Sequence, residues 1–177
     1  MRIRPVLALS TTVLTAATAL LLGAPQSGAA ATRPAPCAQK SLTVRAHVAK
    51  DTRVVHLSVT NRGTRVCTVD RIPTVTFGDL DGAALPVPAG DSGPYRIGAG
   101  KAAYASVRTI ADPADPEARR VASIGVSPDP SRFGRSFTAR QLGAGHAVLV
   151  WEPVTTWWKP SQAAADKALA KGVQLPS

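Results

Sequence analysis

Two histidines, His47 and His56, are the residues of this chain whose type and spacing are best suited to ligand chemistry. Each alternates with apolar residues in a segment of period two, on either side of a short polar turn. If the segments pair, the two rings lie directly opposite each other with Cβ atoms ~5 Å apart, close enough to share zinc or copper. A metal site normally needs a third ligand, and His146 is remote in the sequence. The pair therefore predicts either a metal carrier or sensor or, as we favour, two solvated imidazoles.

Trp157 and Trp158 form a second candidate binding site near the end of the chain. Adjacent residues of a strand point to opposite faces, so the two rings cannot both be buried on one side. We expect one ring to anchor the C-terminal segment. The other is then available to stack on a sugar ring or a protein partner. Trp151, which alternates with Ala147 and Leu149, is predicted to lie in the core.

The sequence contains no convincing catalytic signature. Residues 90–94 (GDSGP) echo the nucleophile loop of serine proteases with one glycine missing, but His47 and His56 lie in strands and too close in sequence to Ser92. A turn explains this segment better. Motifs for zinc hydrolysis, phosphate binding and dinucleotide binding are absent. We therefore expect no enzymatic activity and no cofactor.

Residues 1–31 have the features of a cleavable secretory signal peptide. Arg2 and Arg4 precede an uncharged apolar stretch over residues 6–23, and the small residues of 27–31 suit a signal peptidase. The alternative is an uncleaved membrane anchor, but the stretch falls short of ~20 strongly apolar residues. The protein is thus predicted to be secreted, with no transmembrane segment in the mature chain.

Cys37 and Cys67 are the two cysteines of the chain. In an oxidising compartment an even number of cysteines indicates disulfide bonding, and two cysteines permit one pairing. The alternative is a pair of reduced, buried thiols.

The chain is basic, with a formal net charge of +10, of which the signal peptide carries two charges. A basic exported protein could bind an anionic polymer of the cell envelope or a membrane surface, or the charge could serve only solubility, which we favour. The arginines are scattered, without the clustered stripe and aromatic partners of a nucleic-acid site. We expect a monomer that does not bind nucleic acid.

Clean period-two alternation predicts a hairpin at the start of the domain. Apolar residues alternate with polar ones over residues 41–48 and 54–60, separated by Lys50-Asp51-Thr52-Arg53. A two- or four-residue loop pairs Val48 with Val55 and places every apolar residue on one face. The same register places His47 and His56 on the outward face.

About seven short strands with turns every ten or so residues predict an all-β sandwich. Near the end, Ser161 is a candidate N-cap for a short helix over residues 162–171, with Gly172 as its C-cap. Such a helix is marginal alone and is expected to form only if it docks on the sheets. The predicted organisation is a signal peptide over 1–31, a Pro-rich lead-in over 32–40, a β-sandwich over 41–156 and a tail over 157–177.

Several turn and strand segments occur in a recognisable order. They are Cys37, residues 61–69 (NRGTRVCTV), 72–75 (IPTV), 79–82 (DLDG) and 98–105 (GAGKAAYA). This order resembles the domain-of-unknown-function family 4232, which comprises exported actinobacterial proteins and lipoproteins. The resemblance covers residues 37–150 or so and implies an immunoglobulin-like sandwich with a disulfide between Cys37 and Cys67. It implies no activity, because the family has none established.

The leading hypothesis is therefore a secreted, non-catalytic binding module. Its partner would be a cell-wall polymer or an envelope protein, contacted by Trp157 and Trp158 or by the loops over residues 88–98 and 111–119. The alternative is a metal-binding carrier or sensor that uses His47 and His56.

Overall fold

The computed structural model describes residues 34–131 and 134–173. The predicted signal peptide over residues 1–31 lies outside these ranges. Within them, no helix is long and apolar enough to cross a membrane.

The described residues form twelve short strands and two α-helices. The strands are β1 (Leu42–Val48), β2 (Val54–Asn61), β3 (Cys67–Asp70), β4 (Thr74–Phe77), β5 (Leu85–Val87), β6 (Pro94–Ile97), β7 (Ala102–Arg108), β8 (Arg119–Val121), β9 (Ser123–Ser127), β10 (Arg135–Thr138), β11 (Val148–Val150) and β12 (Val154–Thr156), and the helices are α1 (Ala139–Leu142) and α2 (Gln162–Gly172). A 3-10 turn, Gln39–Ser41, precedes β1.

The hairpin of β1 and β2 has the register that the alternation predicts. Val48 pairs with Val55, and His47 pairs with His56. The N–H of Ala49 donates to the carbonyl of Val54 at 2.8 Å, so the loop between them has four residues. The predicted hairpin is therefore confirmed, with its apolar residues on one face.

This hairpin is one edge of a five-stranded sheet in the order β1-β2-β7-β12-β5. All neighbours are antiparallel except β12 and β5, which are parallel. A three-stranded sheet has the order β10-β9-β4, and two further pairs join β11 to β8 and β3 to β6. Inward side chains of the two larger sheets belong to one buried cluster, including Val55, Leu57 and Val107 from one and Val75 and Ile124 from the other. The all-β, sandwich-like fold is thus confirmed.

The structure divides the predicted strands more finely than the alternation indicates. The apolar segment over residues 121–126 contains two strands, because the chain leaves the extended pairing at Ala122. Before this residue β8 pairs with β11, and after it β9 pairs with β10 and β4. Strand β6 begins at Pro94, a position where a strand tolerates the missing N–H. Strands of three or four residues are too short for the alternation of apolar and polar side chains to be recognised in the sequence. Trp151 is half-buried rather than fully in the core.

The disulfide between Cys37 and Cys67 is present, with an S–S distance of 2.07 Å. The N–H of Cys37 donates to the carbonyl of Thr68 at 2.8 Å, and Pro36 forms a bridge with the same residue. The segment before β1 is thereby held along β3, and Cys37 is 2% exposed.

Helix α2 forms as predicted and docks on the five-stranded sheet. The Ser161 hydroxyl accepts a hydrogen bond from Ala164 N–H at 3.2 Å, and the helix buries Ala165 and Leu169. The predicted C-cap is wrong by one residue, because Val173 caps the helix and Gly172 is still helical. Gly172 has a different role, since a Cβ there would lie 2.7 Å from Val87 Cβ. The glycine lets the end of the helix approach β5 closely.

Asn61 is a buried polar residue that joins three segments of backbone at the end of β2. Its Nδ2 donates to the carbonyls of Arg65, Ile97 and Gly98 at 2.8, 3.1 and 3.2 Å. Its Oδ1 accepts from Gly63 N–H at 2.8 Å. The side chain is 1% exposed, so these groups depend on it rather than on water.

We therefore expect Asn61→Ala to lower the free energy of unfolding by about 2–4 kcal/mol, because it leaves buried backbone groups without partners. Asn61→Asp should destabilise at least as much at neutral pH, since it directs a carboxylate at carbonyl oxygens. Urea unfolding measures both. Ser58→Ala, on the outward face of the same strand, is the control, and a loss for Asn61→Ala no larger than that of the control would contradict the role.

Candidate functional site

Helix α2 leaves a cleft of about 510 Å³ between its C-terminal half and the β1–β2 turn. We call this the α2 cleft. Its lining residues are Ala49, Lys50, Asp51, Arg53, Val54, His56, Arg108, Ala111, Asp166, Leu169, Ala170 and Val173. The sheet supplies His56 and Arg108 from β2 and β7, and the helix supplies Asp166 and the apolar wall.

The Asp166 carboxylate organises the polar contacts between helix and sheet. Its Oδ1 lies 3.0 Å from His56 Nε2 and accepts a hydrogen bond of 2.6 Å from the Ser106 hydroxyl. Gln162 Nε2 donates to Ser106 Oγ at 2.8 Å and to Asp166 Oδ1 at 3.1 Å. His56 and Ser106 pair directly across β2 and β7, so one helical carboxylate reaches both.

This cluster contains the side chains of a catalytic triad but not its connectivity. In a triad the serine gives its proton to the imidazole, which the carboxylate orients from its far side. Here the Ser106 hydroxyl donates to Asp166, and Ser106 is 0% exposed beneath the helix. The arrangement therefore fixes the helix on the sheet and does not activate Ser106 as a nucleophile.

His47 and His56 lie opposite each other, as the sequence predicts. Their ring centroids are 5.3 Å apart and their planes meet at 85°. His47 is exposed, whereas the His56 side chain is 18% exposed and its Nε2 faces Asp166. No group of three or more His, Cys, Asp or Glu side chains within residues 34–131 and 134–173 could hold a metal ion. The position of the pair is confirmed, and the metal site stays a prediction.

One ion pair at the rim of the cleft is complete. Arg53 Nε and Nη2 donate to the two oxygens of Asp51 at 3.0 and 2.8 Å, and Nη1 donates to the carbonyl of Ala111 at 3.1 Å. The hydrogen bonds from Arg53 lower the pKa of the Asp51 carboxyl, and Asp51 raises the pKa of Arg53. Both groups are exposed, so water screens their attraction.

Two further cations of the cleft, Lys50 and Arg108, have no acid partner among the described residues. Lys50 is exposed, but Arg108 is half-buried, and its Nε is shielded from water without a hydrogen-bond partner. A buried donor that lacks an acceptor costs about 1–3 kcal/mol. The α2 cleft therefore contains two cations without an ion-pair partner. One of them, Arg108, also has a buried Nε donor without an acceptor.

The structure separates the two tryptophans that the sequence pairs as a ligand site. Trp158 is 2% exposed, so it is the ring that the opposite faces of adjacent residues predict to be buried. It offers no surface to a ligand, which corrects its place among the predicted ligand-binding residues. Trp157 is half-buried between other groups. The guanidinium of Arg71 lies 5.1 Å from its ring centroid, and a Cβ at Gly90 would lie 2.6 Å from its Cζ2. Trp157 therefore anchors the loop that contains Gly90.

Ser92 of the GDSGP segment is held in a turn. Its hydroxyl donates to Asp70 Oδ2, and the N–H of Arg71 donates to the carbonyl of Gly93 at 2.5 Å. The partner of Ser92 is thus a carboxylate and not an imidazole. These contacts agree with the interpretation of the segment as a turn.

Sequence reasoning missed Arg108 and Asp166, which line the cleft together with His56. Arg108 was one of many scattered arginines, and nothing local separates it from the others. The sequence gives a weak indication that Asp166 is important, because it is the one acidic residue of the helix over 162–172. Its partner could not be identified without the position at which the helix docks.

The comparison with family models gives one match. The model described as domain of unknown function (DUF4232) matches residues 37–158. These residues include the disulfide, both strand histidines and both terminal tryptophans, whereas helix α2 and Asp166 lie beyond the match. Searches of curated proteins and of solved structures gave no significant match.

The packing of Trp157 predicts that Gly90→Ala destabilises the protein by about 1–3 kcal/mol, because the new methyl group meets a rigid ring. Chemical unfolding followed by tryptophan fluorescence measures the change. Gly93→Ala is the matched control, since its Cβ would lie 3.3 Å from the flexible end of Arg71. Equal stability of both variants would show that Trp157 does not anchor this loop.

Proposed function

The chain belongs to the DUF4232 family, whose function is unknown, and we propose that it is an exported, non-catalytic module that binds an anionic ligand through the α2 cleft. The ligand is a component of the cell envelope or of the medium, either a cell-wall polymer or an acidic surface of an envelope protein. The module acts as a monomer and does not bind nucleic acid.

The observation that carries this proposal is the pair of unpartnered cations, Arg108 and Lys50, in one cleft. Arg53 already uses Asp51, and His56 faces Asp166, so the nearby acids are engaged. An anion that entered the cleft would give the charge of Arg108 an ion-pair partner, through charge-assisted hydrogen bonds to the exposed part of the guanidinium. Positive charge beyond the cleft would attract polyanions over a longer range, an effect that salt screens.

Two further observations support an exported and non-catalytic role. The Cys37–Cys67 disulfide is compatible with an oxidising compartment, in agreement with the signal-peptide features of residues 1–31. Ser106, which lies beside the His56–Asp166 pair, donates a hydrogen bond to the carboxylate. This serine therefore lacks the imidazole acceptor that activates the nucleophile of a triad.

The second candidate function is a metal-binding carrier or sensor. It is favoured by the cross-strand pair of His47 and His56, whose ring centroids are 5.3 Å apart. In that role the Asp166 carboxylate would have to release His56 Nε2 or join it as a ligand.

We expect the mature protein to be retained on isolated cell walls at low salt and released at high salt. Arg108→Gln should weaken retention about tenfold, which corresponds to the loss of one charge-assisted hydrogen bond. The same variant should keep or raise the melting temperature, because it removes a buried donor without a partner. Sedimentation with walls and thermal unfolding measure the two effects.

The matched control is Arg120→Gln, which removes the same charge from an exposed position of β8 outside the cleft. Equal losses for both arginines would mean that total charge and not the cleft binds the wall. Retention that resists salt would contradict the electrostatic mechanism, and absence of retention would exclude the wall polymer as ligand.

The metal hypothesis is tested by equilibrium dialysis with zinc and with copper. Under the proposal of an anion site, wild type and His56→Ala take up equally negligible amounts of either metal, because two imidazoles alone seldom form a site. Uptake by wild type that His56→Ala abolishes and His146→Ala preserves would instead establish the metal-binding function.

A further inference from the structure

We infer that the α2 cleft accepts a small amphipathic anion, with a carboxylate or phosphate head and a short hydrocarbon part. This inference rests on the proposed function and specifies the chemistry of its ligand. The cleft of about 510 Å³ has the size of a small-molecule site, so it would hold one anionic group of a wall polymer or of a protein surface, together with the hydrocarbon attached to that group.

The hydrocarbon part is indicated by the apolar side of the cleft. Helix α2 contributes Leu169, Ala170 and Val173, and the sheet side contributes Val54 and Ala111. Ala170 is exposed, and Val173 is 37% exposed although it is a large apolar residue. Covering this surface with a hydrocarbon chain would remove apolar area from water at about 25 cal/mol per Å².

The anionic head is indicated by the opposite side. Lys50 and Arg108 carry charge without an acid partner in the described part of the chain, and they line the same cleft as the apolar wall. The two acids that also line the cleft form no ion pair with either cation, and the five charged residues of the lining leave a formal net charge of +1, three bases against two acids. Asp51 accepts three hydrogen bonds from Arg53, and Asp166 faces His56 while it accepts from Ser106.

These two sides explain why a simple ion or a neutral lipid would fit less well. An inorganic anion would leave Ala170 and Val173 exposed to water, and a neutral alcohol would leave the charge of Arg108 without a counterion. An amphipathic anion satisfies both, because its head meets the cations and its tail meets the helix wall. The geometry therefore favours a ligand with both parts over a ligand with either one.

The experiment is calorimetric titration of the full mature chain with octanoate and octyl phosphate, each below its micellar concentration. Acetate and inorganic phosphate test the head alone, and octanol tests the tail alone. We expect saturable binding of one or both amphipathic anions and at least tenfold weaker binding of the other three compounds. Tighter binding of octanoate would identify the head group as a carboxylate, and tighter binding of octyl phosphate would identify it as a phosphate.

Two variants test the two sides of the cleft. Arg108→Gln should weaken binding of the amphipathic anion about tenfold, whereas Arg120→Gln should leave it unchanged. Ala170→Glu adds an acid and bulk to the apolar wall at an exposed helical position that favours glutamate, so it should abolish binding while the protein stays folded. Circular dichroism confirms folding of each variant.

Equal affinity for octanoate and acetate, or unchanged affinity in Ala170→Glu, would overturn the inference. The outcome is separable from that of the proposed function. Arg108-dependent retention on walls without any binding of the amphiphiles would refute the inference alone. Binding of octanoate or octyl phosphate without retention on walls would support the cleft chemistry and refute the wall as the partner.

Discussion

The hydrogen bonds of the Asp166 carboxylate hold helix α2 on the sheet, and the cleft depends on that attachment. An isolated helix of 11 residues is marginal in water, so α2 must gain its stability from docking. Ala165 and Leu169 supply apolar contact, and the carboxylate adds contacts to His56 and Ser106 at one level of the sheet. These contacts lie in the first half of the helix. In its second half Leu169 and Gly172 pack on the sheet, and Ala170 and Val173 form the exposed part of the wall of the α2 cleft.

The sheet beneath the helix follows from local patterns, whereas the docking does not. Strict alternation fixed the hairpin register, because a slip by one residue would expose every apolar side chain of β2. The same logic gave the position of His47 opposite His56. No such rule relates Asp166 to Ser106, which are 60 residues apart, or places β12 between β7 and β5. Those contacts depend on the path of the whole chain, which a local period does not describe.

The tryptophans illustrate the same limit on a smaller scale. Adjacent positions imply that Trp157 and Trp158 face opposite sides, and the structure has one buried and one half-buried ring. The sequence could not reveal that the half-buried ring is covered by Arg71 and by the backbone of Gly90. A glycine that lets a distant side chain approach the backbone has no local signature in the sequence, because its role depends on a residue far away along the chain. Trp157, which the sequence offers as a surface for a ligand, therefore anchors the loop that contains Gly90.

The cleft lies at a boundary that matters for function. Residues 37–158 match the DUF4232 family, so His56 and Arg108 belong to the shared domain, while Asp166 and the apolar wall belong to the segment after it. The carboxylate of that segment forms no ion pair with Arg108 or Lys50, and its contacts are with His56 and Ser106. The segment is therefore attached to the sheet through His56 and Ser106. It lines one side of the cleft that contains Arg108, and it does not pair with this cation. An ion pair with Arg108 would have added to the stability of the docked helix, so the unpaired cation is the feature of this cleft on which the proposed anion binding rests.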